Sequence, residues 1–140
     1  MWKQFLADPH RQNLLCQIGD DFAGFVSWGA CRDTDADPKI AELFSIYVHP
    51  AHWRRGVGTA LWRALIPNVV GQYKDIILWT LRDTRGARRF YERLGFIHED
   101  GVQRTQDWHN PPLPEVKYRR PLVGLIDSPA IDRLDDRLAV

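Results

Sequence analysis

Long apolar runs are absent from this 140-residue chain, and so is any large excess of charge. No stretch approaches the ~18 consecutive apolar residues of a membrane span, and the N-terminus lacks a cationic start followed by an apolar core. Neither a membrane anchor nor a secretory leader is expected. The formal net charge is +1, from 19 basic and 18 acidic side chains. That balance argues against a nucleic-acid partner held by bulk positive charge. Cysteine is scarce: only Cys16 and Cys31 occur. If Gly19-Asp20-Asp21 turns a hairpin, Cys16 lies opposite a residue near Phe25 and Cys31 falls well beyond it. No disulfide is then expected, and a cytoplasmic location fits. Neither thiol has an identifiable base or helix terminus beside it, which argues against a cysteine nucleophile. His49 and His52 are an isolated pair flanking Pro50, too little for a metal site. Repeats and low-complexity tracts are missing too.

What is present has the make-up of one globular domain, with 44% apolar and 26% charged residues. Its most informative stretch is Tyr47-Val-His-Pro-Ala-His-Trp-Arg-Arg-Gly-Val-Gly-Thr-Ala-Leu61. Apolar residues recur at Val57, Ala60, Leu61, Ala64 and Leu65, one face of a helix. Gly56 and Gly58 strip side chains from its entrance, so the free N–H groups of the first turn can approach an anion. Arg54 and Arg55 add two fixed charges at that point. The pattern suits a pyrophosphate. It is not a P-loop, because Thr59 and Ala60 stand where a Lys is needed. Nor is it a dinucleotide fingerprint, because Leu61 stands where a third Gly is needed.

A second block follows, Thr84-Arg-Gly-Ala-Arg-Arg-Phe-Tyr-Glu-Arg-Leu-Gly-Phe96. Ala87, Phe90, Tyr91 and Leu94 share a helical face, and Gly95 provides the stop. Together the two blocks, with the Tyr-Val-His-Pro lead-in, resemble the GNAT superfamily of N-acetyltransferases over roughly residues 2–122. Trp53 and Thr84 depart from the family's usual Gln or Arg and Asn.

The resemblance implies acetyl-CoA as co-substrate, a primary amine as acceptor, and direct attack within a ternary complex. Carried over by position, the backbone of Ile46, Tyr47 and Val48 would pair with pantetheine. Arg54, Arg55, Gly56, Val57, Gly58 and Thr59 would cradle the pyrophosphate. Thr84 and Ala87 would border the pantetheine arm, and Tyr91 would be the general acid toward the departing sulfur. Among Arg63, Arg82, Arg85, Arg88, Arg89 and Arg93, a subset near the loop could hold the 3′-phosphate.

Some relatives place a Glu base on the strand after the first helix; Trp79 occupies that position here. Glu42 is the leading alternative, because a carboxylate in an apolar central strand is costly without a purpose. It either serves as base or is hydrogen-bonded near the strand's start. Asp107, His109 and Glu115 rank behind it. A second reading stays open: a non-catalytic acyl-CoA-binding module, favoured by Trp53, Thr84 and the missing base, and opposed by Tyr91.

The pattern predicts a mixed α/β sheet flanked by helices, the GNAT-like acyl-CoA N-acyltransferase fold, over residues 1–122. Strands are expected at 14–18, 22–31, 40–49, 76–81, from 96, and at 115–119. Helices are expected from Val57 to about Pro67 and over 85–94. Trp108 to Pro114 reads as a loop, since three prolines cannot donate to a ladder. Residues 2–7 read as the end of a helix with Trp2, Phe5 and Leu6 inward. The family's usual first strand and helix are then lacking, which would leave the 14–18 strand as a bare edge and a sheet face uncovered. The C-terminal tail, 123–140, carries the stripe Ile131, Leu134 and Leu138 after a Ser128-Pro129 start. Either this tail or a second copy would fill the gap, and a homodimer is the expected outcome.

Overall fold

A tight turn with Gly19 at φ 61° closes the first hairpin, and the later strands extend the sheet from one side of it. The computed structural model describes residues 2–3, 10–33, 36–106 and 110–125. In chain order the elements are β1 (Trp2–Lys3), β2 (Gln12–Ile18), β3 (Asp21–Ala30), β4 (Ile40–Val48) and a 3-10 turn at Pro50–His52. Then come α1 (Val57–Val69), β5 (Asp75–Leu81), α2 (Arg85–Arg93), β6 (Ile97–Gln106) and β7 (Leu113–Pro121). The strands form one sheet in the order β1-β2-β3-β4-β5-β7-β6, antiparallel except for the parallel pair β4 and β5. A parallel pair requires a crossover, and α1 supplies it.

Both helices cover the same sheet face. α1 buries Val57, Leu61, Trp62, Leu65, Ile66 and Val69, and Phe90, Tyr91 and Leu94 join them in one core with Val26, Leu43, Ile76 and Leu78. The Trp62 and Phe96 rings meet edge to face at 5.2 Å, which ties the two helical segments together. Pro67 lies inside α1 but is exposed, and the helix runs only two residues beyond it. A proline near a helix end gives up one hydrogen bond and clashes little.

Two expectations need correction. Trp2 and Lys3 are strand rather than helix and pair with Cys16 and Leu15, so the β2 edge is partly covered. Three apolar residues within six cannot separate a helix period from a strand period. Residues 4–9, with Phe5 and Leu6, lie outside the described residues. Second, Leu113 and Pro114 belong to β7. Pro114 stands near the strand start, where a missing N–H is tolerated, and its carbonyl accepts from the Arg82 N–H at 3.0 Å. Leu122 and Leu125 are buried in the common core. The stripe Ile131, Leu134 and Leu138 lies outside the described residues, as do Asp107, Trp108 and His109.

Candidate active site

The glycine loop enters α1 without a side-chain cap on the helix start. Gly56 is the N-cap residue in the left-handed region at φ 77°, and no side chain caps the helix. The first turn carries no acidic residue, so its N–H groups and positive dipole end stay available to an anion. Gly56, Val57, Gly58 and Thr59 are buried, while Arg54 and Arg55 are exposed. Arg54 itself is left-handed at φ 63°. Backbone strain of this kind collects at ligand sites. His49 and His52 belong to the same turn: His49 Nδ1 accepts from the Ala51 N–H at 3.1 Å, and His52 is buried. The role of His49 there is local turn geometry, and the buried His52 Nδ1 has no hydrogen-bond partner among the described residues.

Just before this loop, β4 parts from its parallel neighbour. The two strands pair only at Ile40 to Leu43 with Asp75 to Leu78. Phe44 is the turning point, an extra residue between the pairs Trp28 with Leu43 and Ser27 with Ser45. From there to Val48, β4 keeps β3 on one side and, among the described residues, has no strand partner on the other. Ile46, Tyr47 and Val48 therefore present backbone groups to an open wedge. The indole N–H of Trp53 already engages the Val48 carbonyl at 2.8 Å. Trp53 stands where the family usually has Gln or Arg, and it ties the loop to the strand end.

Tyr91 comes from α2 and is 9% exposed, its ring against Phe90 and Phe96. Burial pushes its pKa up to about 12, because the phenolate would lose its hydration. Thr84 is the N-cap residue of α2, exposed, with its hydroxyl making no cap bond, and Ala87 is half-buried. The arginines of α2 divide. Arg88 is drawn inward, donating to the Tyr118 hydroxyl at 2.9 Å and to the Arg82 carbonyl at 3.0 Å. Arg85, Arg89 and Arg93 are exposed.

The sheet face opposite the helices is a layer of paired charges. Glu42 is 1% exposed and accepts from Arg32 three times: from its backbone N–H and its Nη2, both at 2.9 Å, and from Nε at 3.4 Å. Asp33 takes the Trp79 indole N–H at 3.0 Å and the Lys117 ammonium at 3.1 Å. Glu115 is buried and accepts from Arg104 Nε at 2.7 Å. Arg104 also lies 4.3 Å over the Trp79 ring. Sequence reasoning missed Arg32 and Asp33, which read as ordinary loop residues. The Asp33 to Trp79 bond spans 46 positions, and only the sheet order brings its ends together.

Among the described residues, one group with metal-ligand chemistry is Cys31, Asp33 and Glu42. Both carboxylates are already neutralised by Arg32 and Lys117, which is not how a cation site is prepared. Burial pushes both the Cys16 and Cys31 thiols up, and both are free. Neither has thiolate character for nucleophilic work.

Comparison with known proteins adds the family. Residues 1–96 match the model of the acetyltransferase (GNAT) family. The mycothiol acetyltransferase of Saccharomonospora viridis is 30% identical over 132 residues, covering 90% of this chain and 42% of that protein. The chain spans less than half the length of the curated relatives it matches. The ribosomal-protein-S18-alanine N-acetyltransferase of Escherichia coli superposes with TM-score 0.67 at 21% identity, over 83% of this chain and 72% of that one. YncA of Salmonella typhimurium, solved with its cofactor acetyl-CoA, superposes with TM-score 0.66 at 23% identity, over 80% and 65%. At such identities the structures speak for the fold. The open wedge beside β4 and the uncapped α1 entrance suit the co-substrate this family uses, and the chain belongs to the GNAT acetyltransferase family.

Proposed function

We propose that the protein is an acetyl-CoA-dependent N-acetyltransferase that acts on a primary amine by direct attack. The observation that carries this reading is the parting of β4 from β5 after Leu43 and Leu78, beside an uncapped glycine entrance to α1. Arg54 to Thr59 would hold the pyrophosphate, and Ile46 to Val48 the pantetheine arm. When bound, acetyl-CoA supplies an acyl group activated as a thioester. The chain must orient it, polarise its carbonyl and ease the departure of sulfur.

The raised pKa of Tyr91 refines its part. A thiol near ~8.5 is a far stronger acid than a phenol near about 12, so full proton transfer from Tyr91 to the thiolate is uphill. Tyr91 therefore acts by donating a hydrogen bond to the sulfur, and the proton lost by the amine balances the thiolate. Glu42 is proposed as base. Both its oxygens carry bonds from Arg32, so the amine proton must go to a remaining lone pair or follow a shift of Arg32. Glu42→Gln should then remove the acidic limb of the kcat/KM profile; an unchanged limb moves the role to Glu115 or water.

The row of Phe22, Tyr47 and Phe25 on the face away from the helices, stacked at 6.1 and 5.8 Å, supports a homodimer that covers it. Light scattering tests that part. Free cysteines support a reducing, cytoplasmic setting. The alternative, a non-catalytic acyl-CoA-binding module, draws support from Trp53 and Thr84. One experiment separates the two: calorimetry with acetyl-CoA, ATP and NAD, followed by thiol release with a panel of amines. Selective acetyl-CoA binding with amine-dependent thiol release is expected. Equal binding of ATP would end the acyl-CoA reading, and binding without turnover would favour the module.

A further inference from the structure

At the lower end of β2, β3 and β4, away from the glycine loop, lies a cavity of about 500 Å³. That is within the ~300–1,000 Å³ typical of small-molecule sites. Trp28, Phe44 and Tyr73 give it aromatic walls, and the guanidinium groups of Arg11 and Arg32 stand at its rim. The two guanidinium carbons stand 4.8 and 4.1 Å from the Phe44 ring centroid. None of the described lining residues is acidic. Glu42 compensates Arg32, whereas no carboxylate pairs with Arg11 among the described residues.

Phe44 links this cavity to the reaction. It is the first β4 residue past the last pair with β5. Gly29 makes room for its ring: a Cβ there would stand 3.0 Å from Phe44 Cε2 and collide with the His10 carbonyl. The cavity wall is thus the residue at which the wedge opens, and the rim residue Arg32 holds the proposed base, Glu42. The rim is also separate from the pyrophosphate loop, since the four steps of β4 from Phe44 to Val48 alone span ~13 Å.

We infer that this cavity receives the acceptor, and that the acceptor is an amine bearing a carboxylate on a flat apolar body. The inference names the acceptor class for the acetyl transfer proposed above and rests on that reading. Arg11 takes the carboxylate, because its planar fork matches two oxygens at once. The aromatic walls take the body, and the amine then reaches Glu42 only past Arg32, by the shift of that guanidinium described above. An amine without an acid group meets only positive charge at the rim.

The test compares phenylalanine, phenylalaninamide and phenethylamine as probes, scored by acetyl-CoA thiol release. Phenylalanine should exceed the other two by tenfold or more in kcat/KM, the effect of about one charge-assisted bond. Arg11→Met should erase that advantage through KM, and Arg11→Lys should restore part of it. Equal use of all three probes, or an indifferent Arg11→Met, overturns the inference and leaves acetyl transfer standing. If no probe is acetylated, calorimetry with phenylalanine decides. Binding lost in Arg11→Met keeps the acid site and counts against acetyl transfer, and no binding at all overturns the site.

Discussion

The two halves of β4 differ more than any two separate elements of the molecule. Ile40 to Leu43 has β3 on one side and β5 on the other, with Ala41, Glu42 and Leu43 all buried. Phe44 to Val48 has β3 alone, and Tyr47 is exposed. One extra residue, Phe44, separates a stretch that holds the sheet together from one left open for a ligand. Stability and binding are thereby assigned to adjacent segments of a single strand, and substitutions should sort the same way.

The largest expected effect falls on the closed half. Leu43→Ala should cost about 2–5 kcal/mol in urea unfolding, since Leu43 is buried in the common core. Ile46→Ala, half-buried beside the wedge, should cost clearly less. Equal losses would mean that the open half is as structural as the closed one. Next comes Tyr91→Phe, which should lower kcat on the order of 10²-fold with acetyl-CoA affinity nearly intact. A KM effect alone would make the ring, rather than its hydroxyl, the working part.

The same tyrosine yields a stability prediction with a definite sign. Its folded pKa, about 12, lies above the unfolded value of about 10. The folded state therefore retains the proton longer, and the contribution is complete below pH ~10 and lost as pH rises through the folded value. That contribution is of order 2 kcal/mol. Unfolding followed between pH 9 and 12 should show a larger loss in the wild type than in Tyr91→Phe, where the raised Cys16, Cys31 and Tyr118 still contribute. The smallest effect concerns the loop. Gly58→Val should weaken acetyl-CoA binding about tenfold by blocking close backbone approach, without altering the melting midpoint by more than a few degrees. A variant that melts early but binds normally would make the loop structural.

Legibility in the sequence followed locality. The hairpin at Gly19, the crossover helix after Gly58 and the apolar strand Ile76 to Leu81 were readable because each announces itself within about ten residues. The phosphate-type loop was readable for the same reason. Trp2 and Lys3 were not, since their strand character depends on a partner at Leu15 and Cys16. Glu42 could be singled out as a misplaced charge, but its partner Arg32 could not, because a buried charge says only that something compensates it. The cavity at Arg11 was invisible altogether. Its walls come from Trp28, Phe44 and Tyr73, which no spacing rule connects.

The Trp53 bond to the Val48 carbonyl carries a practical corollary. It anchors an indole that is 52% exposed at the meeting of the wedge and the glycine loop, where solvent now quenches and polarises it. Emission from this one side chain becomes an intrinsic optical gauge of cofactor arrival. Occupation of the loop changes its surroundings, and the difference against Trp53→Phe removes the signal of the other five tryptophans.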